Sequence, residues 1–198
     1  KFDGQKFKSN HGLLDLLNES DTKTQFIYPV VHFKSDDFEI AFTHSNQYGE
    51  DYYSYVNGQH TIQGGTHLSA FKESLVRTLR EFYKKDFEPI DIRASIVAAV
   101  SIKIQDPVFE SQTKTKLGSN EVSPGGETIR VFINKYIKKK LDDFLHKNSD
   151  ISQKLLDKIL SSQKERKEIS AIKKIAKKTS KKADLHNKKL RDCKVHLN

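Results

Sequence analysis

Residues 94–104 constrain the fold more than any other stretch. Ile96, Val97, Ala98, Ala99 and Val100 run without a polar break, and then Ile102 and Ile104 alternate with Ser101 and Lys103. Such a run suits a central strand covered on both faces at its start and on one face near its end. Asp106 and Pro107 stop it. A polar loop follows, Gln112-Thr113-Lys114-Thr115-Lys116-Leu117. Two cations with hydroxyl and amide groups, held at the end of a buried strand, suit an anionic ligand. On composition alone, a plain solvated connection is the commoner reading of such a loop.

Three further strands are expected before this one. Residues 25–33 are rich in aromatic and β-branched side chains, although Pro29 lacks an amide hydrogen and argues for an edge or a bulge. Residues 37–43 alternate, with Phe38, Ile40 and Phe42 on one face and Glu39, Ala41 and Thr43 on the other. Residues 52–57 form the third, and the short polar links on either side of residues 37–43 predict antiparallel hairpins.

Gly64 and Gly65 free the backbone to reverse, and Thr66 is a reasonable N-cap for the helix that follows. That helix carries Leu68, Phe71, Leu75, Leu79 and Phe82 on one stripe, enough to cover one face of the sheet. From Thr128 a second long helix is expected, with Val131, Phe132, Tyr136, Leu141, Phe144 and Leu145 as its apolar positions. A third starts at Ser149 or Asp150, and its apolar face of Ile151, Leu155, Leu156, Ile159 and Leu160 thins to Ile169, Ile172 and Ile175 as lysines take over. Run to about Ala183, it is roughly 45–50 Å long and protrudes from any core this chain builds.

The net charge of +9 is segregated. Residues 164–194 carry thirteen lysines and arginines against four carboxylates, so this one segment holds the whole excess and points to a polyanion. A solvated lysine-rich connector is the bland alternative. With 198 residues of which 35% are apolar, a compact core plus a solvated element is expected. The chain opens on Lys1 and contains no methionine, which reads as a piece excised from a longer protein. No run approaches the roughly 18 apolar residues that span a bilayer, so no membrane partner is expected. The single cysteine, Cys193, excludes an internal disulfide framework, agrees with a reducing cytoplasm and reads as inert. His60 and His67 match no standard ligand spacing, so no metal site is expected.

Several of these stretches carry a resemblance. Asp106 to Leu117 is similar to the DPxFxxQTKxKL signature of the ATPase subunit of bacterial type IIA DNA topoisomerases, the gyrase B and topoisomerase IV B family. Asp91 to Ile104 resembles the strand that precedes that signature, and Asn57 to His67 resembles the family's segment ending in Gly-Gly-Thr-His. Gly12 to Asn18 loosely resembles the close of the family's ATPase domain. Leu185 to Cys193 resembles its junction with the next domain, and His186-Asn187-Lys188 there tilts the likeness toward topoisomerase IV B.

The resemblance implies an α/β (α+β) transducer domain of ribosomal protein S5 domain 2-like fold. It would have a mostly antiparallel or mixed four-stranded sheet, helices on one face and a long protruding C-terminal helix. It divides the chain into 1–20, the end of a GHKL ATPase domain and hinge; 21–147, the transducer; 148–183, its long basic helix; and 184–198, the lead-in to a TOPRIM domain. It makes Lys114 the catalytic lysine that reaches the γ-phosphate of ATP, with Gln112 beside it. It also makes Lys164, Arg166, Lys167, Lys173, Lys174, Lys177, Lys178, Lys181 and Lys182 candidate contacts to transported double-stranded DNA.

ATP would be bound mainly by the upstream domain and Mg2+ only in the full-length enzyme, so the fragment alone is expected to be inactive. The partners implied are duplex DNA, the topoisomerase A subunit and a second copy of the full-length ATPase subunit on ATP binding, in the bacterial cytoplasm at the nucleoid. Two alternatives stand beside this: a stand-alone S5-like nucleic-acid-binding module, and the middle domain of another GHKL ATPase.

Overall fold

The computed structural model describes residues 9–20 and 25–186, and side chains through residue 179 apart from that of Ser20. Cys193, residues 2–5 and the end of the tail lie outside the described residues. The elements are α1 (Leu13–Ser20), β1 (Val31–Lys34), β2 (Phe38–His44), β3 (Glu50–Val56), β4 (Gln59–His60), α2 (Thr66–Tyr83), α3 (Pro89–Arg93), β5 (Ile96–Ile102), α4 (Ile129–Lys147) and α5 (Ser149–His186). The strands form one mixed sheet in the order β1-β2-β5-β3-β4. The four expected strands are present, the first of them only from Val31, past Pro29, rather than over residues 25–33, and the two-residue β4 adds a fifth at the edge beside β3.

The apolar run is the centre of the sheet. β5 pairs antiparallel with β2, Phe38 facing Ile102 and His44 facing Ile96, and parallel with β3, Glu50 facing Ile96 and Val56 facing Ile102. The expected β2–β3 hairpin therefore does not form, although β1 and β2 do pair as one. The two strands still run in opposite directions, as their short link requires, but β5 lies between them. It is the strand with apolar side chains on both faces, and only an interior position buries both.

Alternation sends Ile96, Ala98, Val100 and Ile102 of β5, with Phe38, Ile40 and Phe42 of β2, into the main core. There they meet Phe71, Leu75 and Leu79 of α2 and one stripe of α4. Val97 and Ala99 face the other way with Ala41, and α1 covers them through Leu13 and the fully buried Leu17. Helices therefore lie on both faces of the sheet, as the apolar start of β5 suggested, where the resemblance implied helices on one face.

In α4 the buried stripe is Ile129, Ile133, Ile137, Leu141 and Leu145, a strict four-residue repeat. The aromatic positions expected from the sequence flank it. Phe132 and Tyr136 pack edge-on against Phe38, and Phe144 against Phe33, while Val131 points outward at 43% exposure. Aromatic size draws a sequence-based assignment one row off the seam that the aliphatic repeat follows.

Polar groups are also sealed into this body, the His44 imidazole among them. His44 is fully buried, and burial holds its pKa down at about 4. Its Nε2–H donates to the Ile92 carbonyl at 2.8 Å, which leaves Nδ1 to accept from the Tyr28 hydroxyl at 2.5 Å. The imidazole is neutral and ties β2 to α3. Ile137→Ala should cost about 2–5 kcal/mol of unfolding free energy in urea, and Val131→Ala less than about 0.5. Equal costs would show that the seam is misplaced.

Candidate nucleotide-facing loop and basic helix

β5 does not end abruptly. The Asn57 side chain extends its ladder, donating from Nδ2 to the Ile104 carbonyl at 2.9 Å and accepting from the Ile104 amide at 2.8 Å. Asp106 then turns the chain in the left-handed region, at φ 51°. Beyond it, residues 108–118 form a small closed hairpin. Phe109 bridges Leu117, the Glu110 amide donates to the Lys116 carbonyl at 3.0 Å, and the Gly118 amide donates to that of Val108 at 2.9 Å.

Lys114 sits at the tip of this hairpin. Its amide donates back to the Ser111 carbonyl at 3.0 Å, and its φ of 55° is one that a side-chain-bearing residue adopts at a cost of order 1 kcal/mol. The side chain is exposed, and its ammonium lies 5.9 Å from the centre of the Phe109 ring with no ion-pair partner among the described residues. Gln112 is exposed two residues away. Lys116 is occupied instead, holding Glu110 at 2.8 Å across the hairpin. The Thr115 carbonyl accepts from the Gln63 amide at 2.9 Å. The loop thus presents the Lys114 ammonium and the Gln112 amide outward and uses its second cation to hold its own shape.

The glycine-bearing and lysine-bearing motifs, far apart in sequence, meet here. Gly65 bridges Leu117 in parallel, and the Leu117 amide donates to the Gly64 carbonyl at 3.0 Å. Thr66 is not the N-cap: Gly65 holds that position without a side-chain cap, and the Thr66 hydroxyl donates to the Ser119 carbonyl at 2.6 Å. His67 is buried inside α2, with burial holding its pKa at about 4 and a 3.5 Å approach to the Thr61 hydroxyl. His60 is exposed and stacks on Tyr55. Among the described residues no cluster of His, Cys, Asp or Glu could hold a metal ion.

Among the described side chains, the basic helix α5 is anchored only in its first half. Leu155 and Ile159 are buried, and every residue from Lys167 to Thr179 is exposed. Arg166 marks the change. Its Nε and Nη2 donate to the two carboxylate oxygens of Asp91 at 2.6 and 2.8 Å, and that residue is 2% exposed. Of the cations expected to face DNA, Arg166 is therefore turned inward to α3, a role its place in a lysine run does not reveal. Lys164, Lys167, Lys173, Lys174, Lys177 and Lys178 are exposed. Lys181 and Lys182 lie on the same helix, with side chains outside those described.

The family model described as DNA gyrase B matches residues 11–188. The chain belongs to the DNA gyrase B family. The DNA topoisomerase 4 B subunit of Borreliella burgdorferi is 40% identical over 197 residues, covering all of this chain and 32% of that protein. The DNA gyrase B subunit of Clostridium acetobutylicum is 33% identical over 177 residues, covering 80% of this chain and 27% of the relative. This gyrase B family chain thus spans a third or less of those relatives. Its fold resembles the 43K ATPase domain of Thermus thermophilus gyrase B, solved in complex with an aminocoumarin. The TM-score is 0.71 at 22% identity, over 85% of this chain and 47% of that one.

Arg166→Ala leaves the Asp91 carboxylate buried without its cation. The urea midpoint should fall, and the loss comes from the carboxylate, since the arginine side chain is 39% exposed and the Asp91 side chain 2%. Replacing both partners by leucine should recover most of that loss, and a wild-type midpoint for Arg166→Ala would show that the pair holds nothing.

Proposed function

We propose that this chain is the transducer of a type IIA topoisomerase B subunit, which couples ATP binding and hydrolysis in a preceding domain to DNA strand passage. The observation that carries the proposal is Lys114: an exposed ammonium, without an ion-pair partner among the described residues, on a closed hairpin beyond the central strand. Lys114 reaches the γ-phosphate of ATP bound upstream, and Gln112 lies beside it. A charge-assisted contact of that kind contributes roughly 1.5–3 kcal/mol and also offsets charge on the transferring oxygens in the transition state. Because the contact forms only when the two domains are docked, nucleotide favours the docked state by that amount, and loss of phosphate releases it.

The remaining parts follow. Residues 1–20 close the ATPase domain and cross onto the sheet through α1, 21–147 form the transducer body, 148–183 the basic helix and 184–198 the lead to the metal-dependent cleavage domain. ATP and Mg2+ serve the full-length enzyme, whose partners are duplex DNA, the topoisomerase A subunit and a second copy of the full-length subunit. This piece alone turns over nothing. On α5, Lys164, Lys167, Lys174 and Lys178 follow at steps of three, seven and four residues, which places them on one helix face toward the transported duplex. The meeting of the two motifs at one place, through Gly64 and Gly65 against Leu117, favours this reading over a stand-alone nucleic-acid-binding module.

In the full-length subunit, Lys114→Ala should lower ATP turnover about 10²-fold while DNA cleavage by the assembled enzyme survives. Unchanged turnover would sink the proposal for Lys114. The salt dependence of duplex binding by this chain tests α5: about four phosphates neutralised give a log–log slope of about −3 to −4, and a slope near zero excludes the contact.

A further inference from the structure

The backbone around Lys114 is held from outside its own loop, by the start of α2. The Gln63 amide donates to the Thr115 carbonyl, the Gly64 carbonyl accepts from the Leu117 amide, and the Thr66 amide reaches the Leu117 carbonyl at 3.3 Å. The Thr66 hydroxyl then donates to the Ser119 carbonyl at 2.6 Å. Residues 63–66 thus grip the returning arm of the hairpin, residues 115–119, which follows Lys114 directly.

Gly65 is the closest point. Its φ is 135°, and a Cβ there would lie 2.4 Å from the Leu117 carbonyl oxygen, 2.6 Å from its amide nitrogen and 2.8 Å from its Cβ. Two of those atoms are backbone already committed to the α2 segment, so they have no rotamer by which to yield. Leu117 itself is 1% exposed in the main core, which fixes the other side of the contact.

We infer that Gly65 and Thr66 are positioning residues for Lys114: the α2 start sets where the ammonium at the hairpin tip stands, and neither residue touches nucleotide. The inference rests on the reading of Lys114 given above. Its physical basis is that a charge acting across a domain boundary works only within a fraction of an ångström of its place, and misplacement by about 1 Å can cost 10²-fold. Among the described residues the backbone of the outgoing arm, 108–110, bonds to the returning one, so any shift of Leu117 moves the tip.

The test is ATP turnover of the full-length subunit, measured as kcat/KM in single and double variants. Gly65→Ala should lose about 10²-fold, and Thr66→Val about 3- to 10-fold, the worth of one hydrogen bond. Thr66→Ser, which keeps the hydroxyl, should restore turnover. In the Lys114→Ala background neither substitution should cost anything further, because what they position is already gone.

Losses that multiply with that of Lys114→Ala would show action elsewhere and overturn the inference, as would wild-type turnover in both Gly65→Ala and Thr66→Val. If Lys114→Ala keeps full turnover, the Lys114 reading fails first and the inference with it. Collapse of Lys114→Ala beside intact Thr66→Val and Gly65→Ala sinks the inference alone. Urea midpoints of each variant report folding. If Gly65→Ala does not fold, Thr66→Val and its serine counterpart decide the matter, since they leave the Gly65–Leu117 contact in place.

Discussion

Everything in this chain is arranged around a strand that must be dry on both sides. β5 carries isoleucine, valine and alanine toward both layers, and the alanines at 98 and 99 let helices approach closely where larger side chains would hold them off. That requirement drives β5 between β2 and β3, obliges α1 to cover the second face, and leaves the far end of the strand as a rigid exit. The Asn57 side chain prolongs the exit by one more rung. A hairpin that leaves such a strand inherits its rigidity, which is what a charge needs if it is to act on a neighbouring domain.

The same logic explains why Lys114 tolerates a left-handed backbone. The strain of about 1 kcal/mol is small against the hydrogen bonds that enforce it, and it turns the side chain out of a hairpin in which Ser111 pairs with Thr113 and Lys116 with Glu110. Lys116, two residues on, shows the contrast. It has the same chemistry but a carboxylate partner, and so it is structural. Position within the turn separates the two lysines, not their identity.

The strands, the helices and the concentration of charge on α5 are legible in the sequence because each follows a period or a composition that survives in one dimension. What is not legible depends on contacts distant in sequence. The insertion of β5 between β2 and β3 is a choice among pairings of similar local propensity, and burial of both faces decides it. The α4 seam is masked by Val131 and the aromatics, because residue size speaks louder in a sequence than a strict four-residue repeat of aliphatic side chains. Arg166 looks like its neighbours, since nothing nearby announces that Asp91 waits 75 positions earlier. Gly65 reads as freedom to turn, which its φ of 135° uses, but its second role, the close approach of Leu117, is invisible in the sequence.

The Arg166–Asp91 pair has a mechanical consequence. From Arg166 to the last described turn at His186, α5 runs about 30 Å beyond its last anchor among the described side chains, at 1.5 Å per residue. A tilt of about 10° at that pivot therefore sweeps the far end through roughly 5 Å, about one helical turn of travel. Among the described side chains, the Arg166 fork is the last hold on α5 before that lever begins.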